Sequence, residues 1–210
     1  MRPPKTLLIV NLLSAAACLG QTQIFSDVAT SSTYYTSTAQ LYSLGITAGC
    51  SSSPLSFCPT SLILRREVAI FLVRAWSIAL YNSPDAFKSV NPPSSTAHFT
   101  DEPTTDTSYY PYVQKLWELG ITAGCGANVF CPTDSLQNYQ IAIFTARIRF
   151  VIDNGCTSAC SPNDDGFAYS GTAYFTDVPS TDSHFKFIQR VADLSVVSGS
   201  VNAPGCSPTG

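Results

Sequence analysis

Charged residues are scarce in this chain of 210 residues. Asp, Glu, Lys and Arg make up 12% of the sequence, about half the usual share, and the net charge is only −3. The chain therefore lacks the basic field of a nucleic-acid-binding protein. Histidine is limited to His98 and His184, and neither lies near a cysteine pair. Because a zinc site needs four ligands such as thiolates and imidazoles, we predict no metal site.

Catalytic motifs are also missing from the sequence. There is no Gly-x-Ser-x-Gly elbow, no phosphate-binding loop and no His-Glu-x-x-His motif. Asp164 and Asp165 resemble part of a calcium loop, but its later ligands and final Glu are absent, which favours a turn. Asp101 and Glu102 are adjacent and cannot flank one glycosidic bond as a pair. We predict that the protein is not an enzyme and needs no cofactor.

The sequence has no apolar run of membrane-spanning length, but a shorter run lies near the N-terminus. Arg2 and Lys5 precede an apolar core at 7–13 and small residues at 14–17, the pattern of an export signal. A membrane span needs about 20 apolar residues. We therefore predict a signal peptide at 1–20 and a secreted or cell-envelope protein without a membrane span. Cys18 follows three alanines, which leaves lipoprotein processing as an alternative.

Cysteine, by contrast, is abundant and closely spaced. Three close pairs follow Cys18: Cys50/Cys58, Cys125/Cys131 and Cys156/Cys160. In an exported chain this spacing predicts local disulfides. Each closes a short loop and should stabilise the protein by about 2 kcal/mol at most. Cys206 is left without an evident partner.

A sequence pattern recurs with a period of about 75 residues. Phe-x-Asp-Val or Phe-x-Asp-Glu begins at Phe25, Phe99 and Phe175. Leu-Gly-Ile-Thr-Ala-Gly-Cys follows at 44–50 and 119–125, and then a Phe-Cys-Pro step at 57–59 and 130–132. A period of this kind is typical of repeat proteins, in which each copy buries its apolar face against the next.

The period divides the chain into three repeats. We place repeat 1 at 24–81, a linker at 82–97, repeat 2 at 98–152, an insertion at 153–172 and a partial repeat 3 at 173–210. Apolar residues at three- and four-residue steps predict a helix, a loop and a second helix in each complete repeat. Gly45 and Gly120 occupy the positions of C-terminal helix caps. The second helices are expected at about 64–80 and 137–151, after Thr, Ser and Asp residues that could act as N-caps.

The predicted fold is therefore all-α, with two complete helix-loop-helix repeats and a truncated third. We expect equivalent core positions from the copies: Leu41, Leu44, Ile46, Phe71, Leu72, Leu116, Leu119, Ile121, Ile143 and Phe144. Trp76 and Trp117 lie on apolar helix faces and are predicted core residues, with stacking on a sugar as the alternative.

In combination these motifs resemble the surface-layer homology (SLH) motif of bacterial cell-envelope proteins. That motif consists of Phe-x-Asp-Val, a helix ending in Gly-Ile-x-x-Gly, a Phe-x-Pro step and a second helix starting with a Thr-Arg-Ala-Glu-type sequence. The resemblance implies an all-α module in a pseudo-threefold or solenoid-like arrangement. It also implies non-covalent attachment to cell-wall polysaccharide or peptidoglycan, with the motif arginine contacting an anionic sugar.

The residues carried over from the family are few. Arg65 and Glu67 match the arginine and glutamate of the motif, whereas Asn138 and Gln140 replace them in repeat 2. The resemblance thus assigns Arg65 to the anion, since an arginine fork fits a carboxylate. Arg65 could equally be an exposed first-turn residue paired with a carboxylate.

The aspartates of the Phe-x-Asp motif, Asp27, Asp101 and Asp177, have two possible roles. They either accept backbone N–H groups in a turn or contact the ligand or an arginine of a neighbouring repeat. Together with Arg65 and Glu67 they form the predicted glycan site. Because repeat 2 lacks the motif charges, the alternative function is a structural envelope protein that binds other proteins and no glycan.

Overall fold

A computed structural model describes residues 22–160 and 167–196 and shows a mainly α-helical chain, as predicted. The predicted signal peptide with Cys18, the turn at Asp164 and Asp165, and Cys206 lie outside the described residues. Six helices occur in the described part: α1 Tyr35–Ser43, α2 Arg65–Tyr81, α3 Phe87–Val90, α4 Tyr110–Glu118, α5 Asn138–Asp153 and α6 Phe185–Asp193. Strands β1 Ser51–Ser52 and β2 Leu55–Ser56 form a small antiparallel hairpin. None of these helices is long and apolar enough to cross a bilayer.

The short first helices, α1, α4 and α6, end in the same way. In α4, the Gly120 N–H bonds to the Trp117 carbonyl and the Ile121 N–H bonds to the Leu116 carbonyl. This pattern is a Schellman motif, which places the residue after the C-cap in the left-handed conformation. Gly120 has φ of 73°, and Ser195 at the corresponding position of repeat 3 has φ of 55°. The predicted glycine cap is therefore confirmed in repeat 2, and a serine adopts the same conformation in repeat 3.

The long second helices, α2 and α5, start within one residue of their predicted positions. The predicted Thr, Ser and Asp N-caps are wrong, because Leu64 and Gln137 occupy the N-cap positions and neither caps with its side chain. Glu67 instead accepts the Leu64 N–H at 2.8 Å, and Gln140 accepts the Gln137 N–H at 3.0 Å. A side chain at the third helical position thus satisfies a backbone donor that the helix itself cannot.

The principal core lies between repeats rather than within each one. Helix α2 packs against α4 and α5, and α5 packs against α6. Trp76 is fully buried in the principal core and donates its indole N–H to the Cys156 carbonyl, so its predicted core role is confirmed. The segment 82–97, predicted as a linker, contains α3, and its Phe87 is buried against Trp76.

The prediction of equivalent burial in the copies is wrong at Leu44. Leu119 is fully buried, but Leu44, one period earlier, is 50% exposed. The reason is the order of packing: α2 covers α4, whereas α1 has no comparably extensive helix contact among the described residues. Repeat 1 instead buries a small separate cluster of Phe25, Val28 and Tyr35.

Candidate functional site

Asp27 fixes the Phe-Cys-Pro step of repeat 1. Its two carboxylate oxygens accept the backbone N–H groups of Phe57 at 2.8 Å and Cys58 at 2.7 Å. The N–H of Phe57 is the main reason that the pKa of Asp27 is lowered from its usual value. Cys58 itself has a left-handed backbone, with φ of 59°. Of the two roles predicted for this aspartate, the structure shows the backbone-binding one.

Asp101 makes the same pair of hydrogen bonds in repeat 2. It accepts the N–H groups of Phe130 and Cys131, both at 2.8 Å, and Cys131 has φ of 58°. Asp177 occupies the corresponding position in repeat 3, two residues after the buried Phe175. In repeats 1 and 2 the repeated spacing is thus explained by a carboxylate that holds a loop about 30 residues further along the chain.

The last glycine of Gly-Ile-Thr-Ala-Gly is required by close packing. Gly124 has φ of 93°, and a Cβ on it would collide with the Val129 carbonyl and the Phe99 ring. Its N–H donates to the Thr122 hydroxyl at 3.0 Å. Gly49 in repeat 1 has the same left-handed backbone. The motif therefore encodes a tight loop that lies directly against the first phenylalanine of its own repeat.

All three predicted cysteine pairs lie at disulfide-bonding distance. Their Cα–Cα separations are 6.0, 6.1 and 6.2 Å, within the range that a disulfide bridges. The pairs are Cys50–Cys58, Cys125–Cys131 and Cys156–Cys160. Such bonds fit an extracellular protein.

Arg65 is buried between repeats 1 and 2, with only 5% of its surface exposed. Its Nε donates to the carbonyl oxygen of Phe130 at 2.8 Å. The guanidinium carbon lies 5.0 Å from the Phe130 ring centre and 5.5 Å from that of Phe144. Burial lowers the pKa of Arg65, while the carboxylates of Asp134 and Asp101 favour its charged form. The arginine that the resemblance assigns to an anion thus fills an aromatic socket in the next repeat.

Backbone hydrogen bonds reinforce this contact between the repeats. The Arg65 N–H donates to the Asp134 carbonyl at 2.9 Å, and the Leu136 N–H donates to the Ile63 carbonyl at 3.2 Å. The start of α2 therefore lies along the loop of repeat 2 as a short antiparallel bridge. This pairing satisfies helix N–H groups that would otherwise lack a partner.

An open groove lies at the corresponding place in repeat 1, and we call it the repeat-1 groove. Its volume is about 620 Å³, and Tyr109 of repeat 2 contributes to its wall. Glu67 and Arg74 supply charged groups, while most of the wall is apolar or aromatic: Ile46, Phe57, Leu62, Ile63, Ile70 and Phe71. Of the predicted glycan residues, this groove includes Glu67, but Arg65 and Asp27 are absent from its lining.

Arg74 connects this groove to repeat 2. It donates to the Ile46 carbonyl at 3.1 Å, and its guanidinium lies 5.3 Å from the centre of the Tyr112 ring. Arg147 makes the corresponding contacts in repeat 2, with a loop carbonyl of its own repeat and with the Phe187 ring of α6. Sequence reasoning missed both arginines, although their spacing of 73 residues follows the internal period.

Glu102 is an unusual buried carboxyl group at the junction of repeats 1 and 2. Val28 and Val178 occupy the corresponding positions in the other repeats, yet Glu102 is only 3% exposed. Its Oε2 has no hydrogen-bond partner among the described residues. Burial, together with the negative charge of Asp106, raises the pKa of Glu102 to about 7, although the positive charge of Arg66 opposes the shift.

Arg65 and Arg74 both join repeat 1 to repeat 2. Within residues 22–160 and 167–196, no group of three or more His, Cys, Asp or Glu side chains could hold a metal ion. No protein-family model matches the chain, and no curated protein matches its sequence. The SLH resemblance therefore remains a prediction from the motifs.

Proposed function

We propose that this protein is a non-catalytic attachment module of the bacterial cell envelope, built from SLH-like repeats that hold a protein partner. The observation that carries the proposal is the contact between Arg65 and Phe130. The start of α2 in repeat 1 packs against the loop of repeat 2, while the corresponding groove of repeat 1 is open. The serial packing of α2 on α4 and of α5 on α6 favours a solenoid-like series over a closed ring.

The use of the motif charges supports a protein partner over a glycan. Arg65 has little surface left for an anionic sugar, because a carbonyl and two aromatic rings surround it. Glu67 accepts the Leu64 N–H, and the oxygens of Asp27 accept two N–H groups. Each of these groups stabilises the fold, as expected for a repeat whose surfaces contact other repeats.

Attachment to wall glycan is the second candidate. The repeat-1 groove combines aromatic walls with a carboxylate and a guanidinium, the mixture that small polar ligands use in binding sites. Phe57, Phe71 and Tyr109 offer ring faces, while Glu67 and Arg74 offer hydrogen bonds. The family resemblance adds that SLH modules commonly bind pyruvylated wall polymers or peptidoglycan.

Binding to isolated cell walls separates the two candidates. The purified protein is incubated with native walls and with walls stripped of protein by detergent and protease, and the bound fraction is measured after sedimentation. A protein-holding module should bind native walls and lose most of that binding on stripped walls. Equal binding to both would favour glycan attachment, and binding to neither would reject envelope attachment altogether.

Two variants test glycan attachment more specifically on the stripped walls. If Arg65 contacts an anionic sugar, Arg65→Ala should lower retention on stripped walls about tenfold or more, as expected for loss of about 1.5–3 kcal/mol. Asn138→Ala at the corresponding exposed position of repeat 2 is the matched control. Both variants are compared at a temperature where circular dichroism shows that they remain folded.

A further inference from the structure

The socket that Arg65 fills in repeat 2 has a counterpart in repeat 1. Phe130 and Phe144 form the walls of the filled socket. Phe57 and Phe71 stand 73 residues earlier and line the repeat-1 groove. Phe130 is fully buried beneath Arg65, whereas Phe57 remains half-buried at the open groove.

The backbone edge beside the repeat-1 groove is also unpaired. In the filled socket, the Asp134 carbonyl and the Leu136 N–H bond to the start of α2. Their counterparts, the Ser61 carbonyl and the Ile63 N–H, make no hydrogen bond within the described residues. Leu62 between them is 77% exposed. The groove thus offers both the aromatic walls and the free backbone groups that the occupied copy uses.

We propose that the repeat-1 groove binds the start of a helix in a partner protein, presented as an extended aliphatic residue followed by arginine. The partner's arginine enters between Phe57 and Phe71 and donates to the Phe57 carbonyl, as Arg65 does with Phe130. The residue before that arginine pairs through its backbone with residues 61–63 of the repeat-1 groove. This inference rests on the proposed protein-holding function and names the partner chemistry at the open groove.

The charges of the groove set the strength of this contact. In the filled socket, Asp134 and Asp101 favour the charged form of Arg65. Repeat 1 retains Asp27 in place of Asp101 but has Ser61 in place of Asp134. Glu67 in the groove stands where repeat 2 has Gln140, but the carboxylate beside the backbone edge is missing at position 61. A carboxylate added at that position should therefore strengthen the binding of an arginine.

A peptide with the sequence of residues 60–72 is a suitable probe, because it carries Arg65 in its natural setting. The control peptide has Arg65→Gln. Each is titrated into the full ¹⁵N-labelled protein, and amide shifts are followed by NMR. We expect the arginine peptide to shift the amides of Phe57, Ser61, Leu62 and Ile63, with at least fivefold tighter binding than the glutamine peptide.

Two substitutions at the exposed Ser61 test the charge argument without disturbing the core. Ser61→Asp restores the missing carboxylate and should tighten binding of the arginine peptide about three- to tenfold. Ser61→Arg should weaken it by a similar factor through repulsion. Neither change should alter binding of the glutamine peptide by more than about twofold.

Three results of the peptide titrations would overturn the proposal. They are equal binding of the two peptides, indifference to both Ser61 substitutions, and shifts confined to the surroundings of Phe130, where the peptide would merely displace α2. Displacement of the peptide by wall-derived glycan fragments would reassign the groove to a sugar. The protein could bind native walls better than stripped walls while the Ser61 substitutions leave peptide binding unchanged. In that case the proposed attachment function holds, and only the assignment of partner binding to the repeat-1 groove is rejected.

Discussion

The Nε of Arg65 lies 2.8 Å from the carbonyl oxygen of Phe130, 65 residues away in the chain. Together with backbone hydrogen bonds, this contact joins the second helix of repeat 1 to the loop that precedes the second helix of repeat 2. The same loop is held from its own repeat by Asp101. Two repeats therefore share one anchored loop, and the junction between them is part of the principal core.

Replacing Arg65 with alanine should destabilise the protein by about 2–4 kcal/mol. The Phe130 carbonyl loses its donor, and the rings of Phe130 and Phe144 lose a cation at short distance. Asn138→Ala, at the corresponding exposed position, should change stability by less than about 0.5 kcal/mol. Urea unfolding measures both, and equal effects would contradict the structural role of Arg65.

The two aligned leucines Leu119 and Leu44 should respond very differently to alanine. Leu119→Ala removes a fully buried side chain and should cost about 2–5 kcal/mol. Leu44→Ala removes one that is half exposed and should cost less than about 1 kcal/mol. Thermal unfolding, monitored by circular dichroism, measures the stability of both variants. A large loss at Leu44 would mean that another surface covers α1 in solution.

These two leucines show where sequence reasoning reaches its limit. Local patterns correctly predict the starts of α2 and α5, the cap at Gly120 and the cysteine pairs, because each depends on residues close in sequence. Burial of Leu44 depends on whether another helix packs over α1, which no local pattern encodes. Periodicity treats repeats as identical, whereas position within the series decides what covers each one.

The candidate site was harder to predict than the fold. The resemblance directs attention to Arg65 and Asp27, but both are occupied by contacts within the chain. The open groove uses Tyr109 from repeat 2 together with residues of repeat 1, and only tertiary packing brings these together. Arg74 could have been found by applying the period to Arg147, since both recur at the same place in α2 and α5.

Gly124 and Gly126 offer a matched test of the tight loop. Gly124→Ala forces a side chain into the left-handed region and against Val129 and Phe99, so it should cost about 2 kcal/mol or more. A Cβ at Gly126 would meet no atom within 4 Å, and Gly126→Ala should be nearly neutral. Differential scanning calorimetry of the oxidised proteins measures both. Similar melting temperatures would show that the loop relaxes easily.

Asp27 should make repeat 1 sensitive to strong acid. Its pKa is lowered in the folded protein, chiefly by the N–H of Phe57. Its stabilising effect is therefore fully present above the unfolded value of about 3.8 and is lost as the pH falls through the lower folded value. Unfolding measurements between pH 5 and pH 2.5 should show a smaller loss for Asp27→Asn than for the wild type. Identical acid profiles would contradict this role.

Glu102 should produce the opposite pH dependence, near neutrality. Its folded pKa of about 7 exceeds the ordinary value of 4.5, so the folded protein favours the neutral carboxyl. The contribution of Glu102 to stability should be greatest below about pH 4.5, fall as the pH rises to 7, and level off above it. After allowance for solvent screening, we expect a loss of roughly 1–2 kcal/mol.

Glu102→Gln and Glu102→Val should both abolish this decline, because neither side chain ionises. Valine is the residue at the corresponding Val28 and Val178, so it should also stabilise the junction at pH 8. Urea unfolding at pH 5 and pH 8 compares the three proteins. The charges that face Glu102 are those of Asp101, Asp106 and Arg66, and they are unchanged in both variants. If the wild type and Glu102→Gln decline equally between pH 5 and pH 8, ionisation of Glu102 is not the cause of the decline.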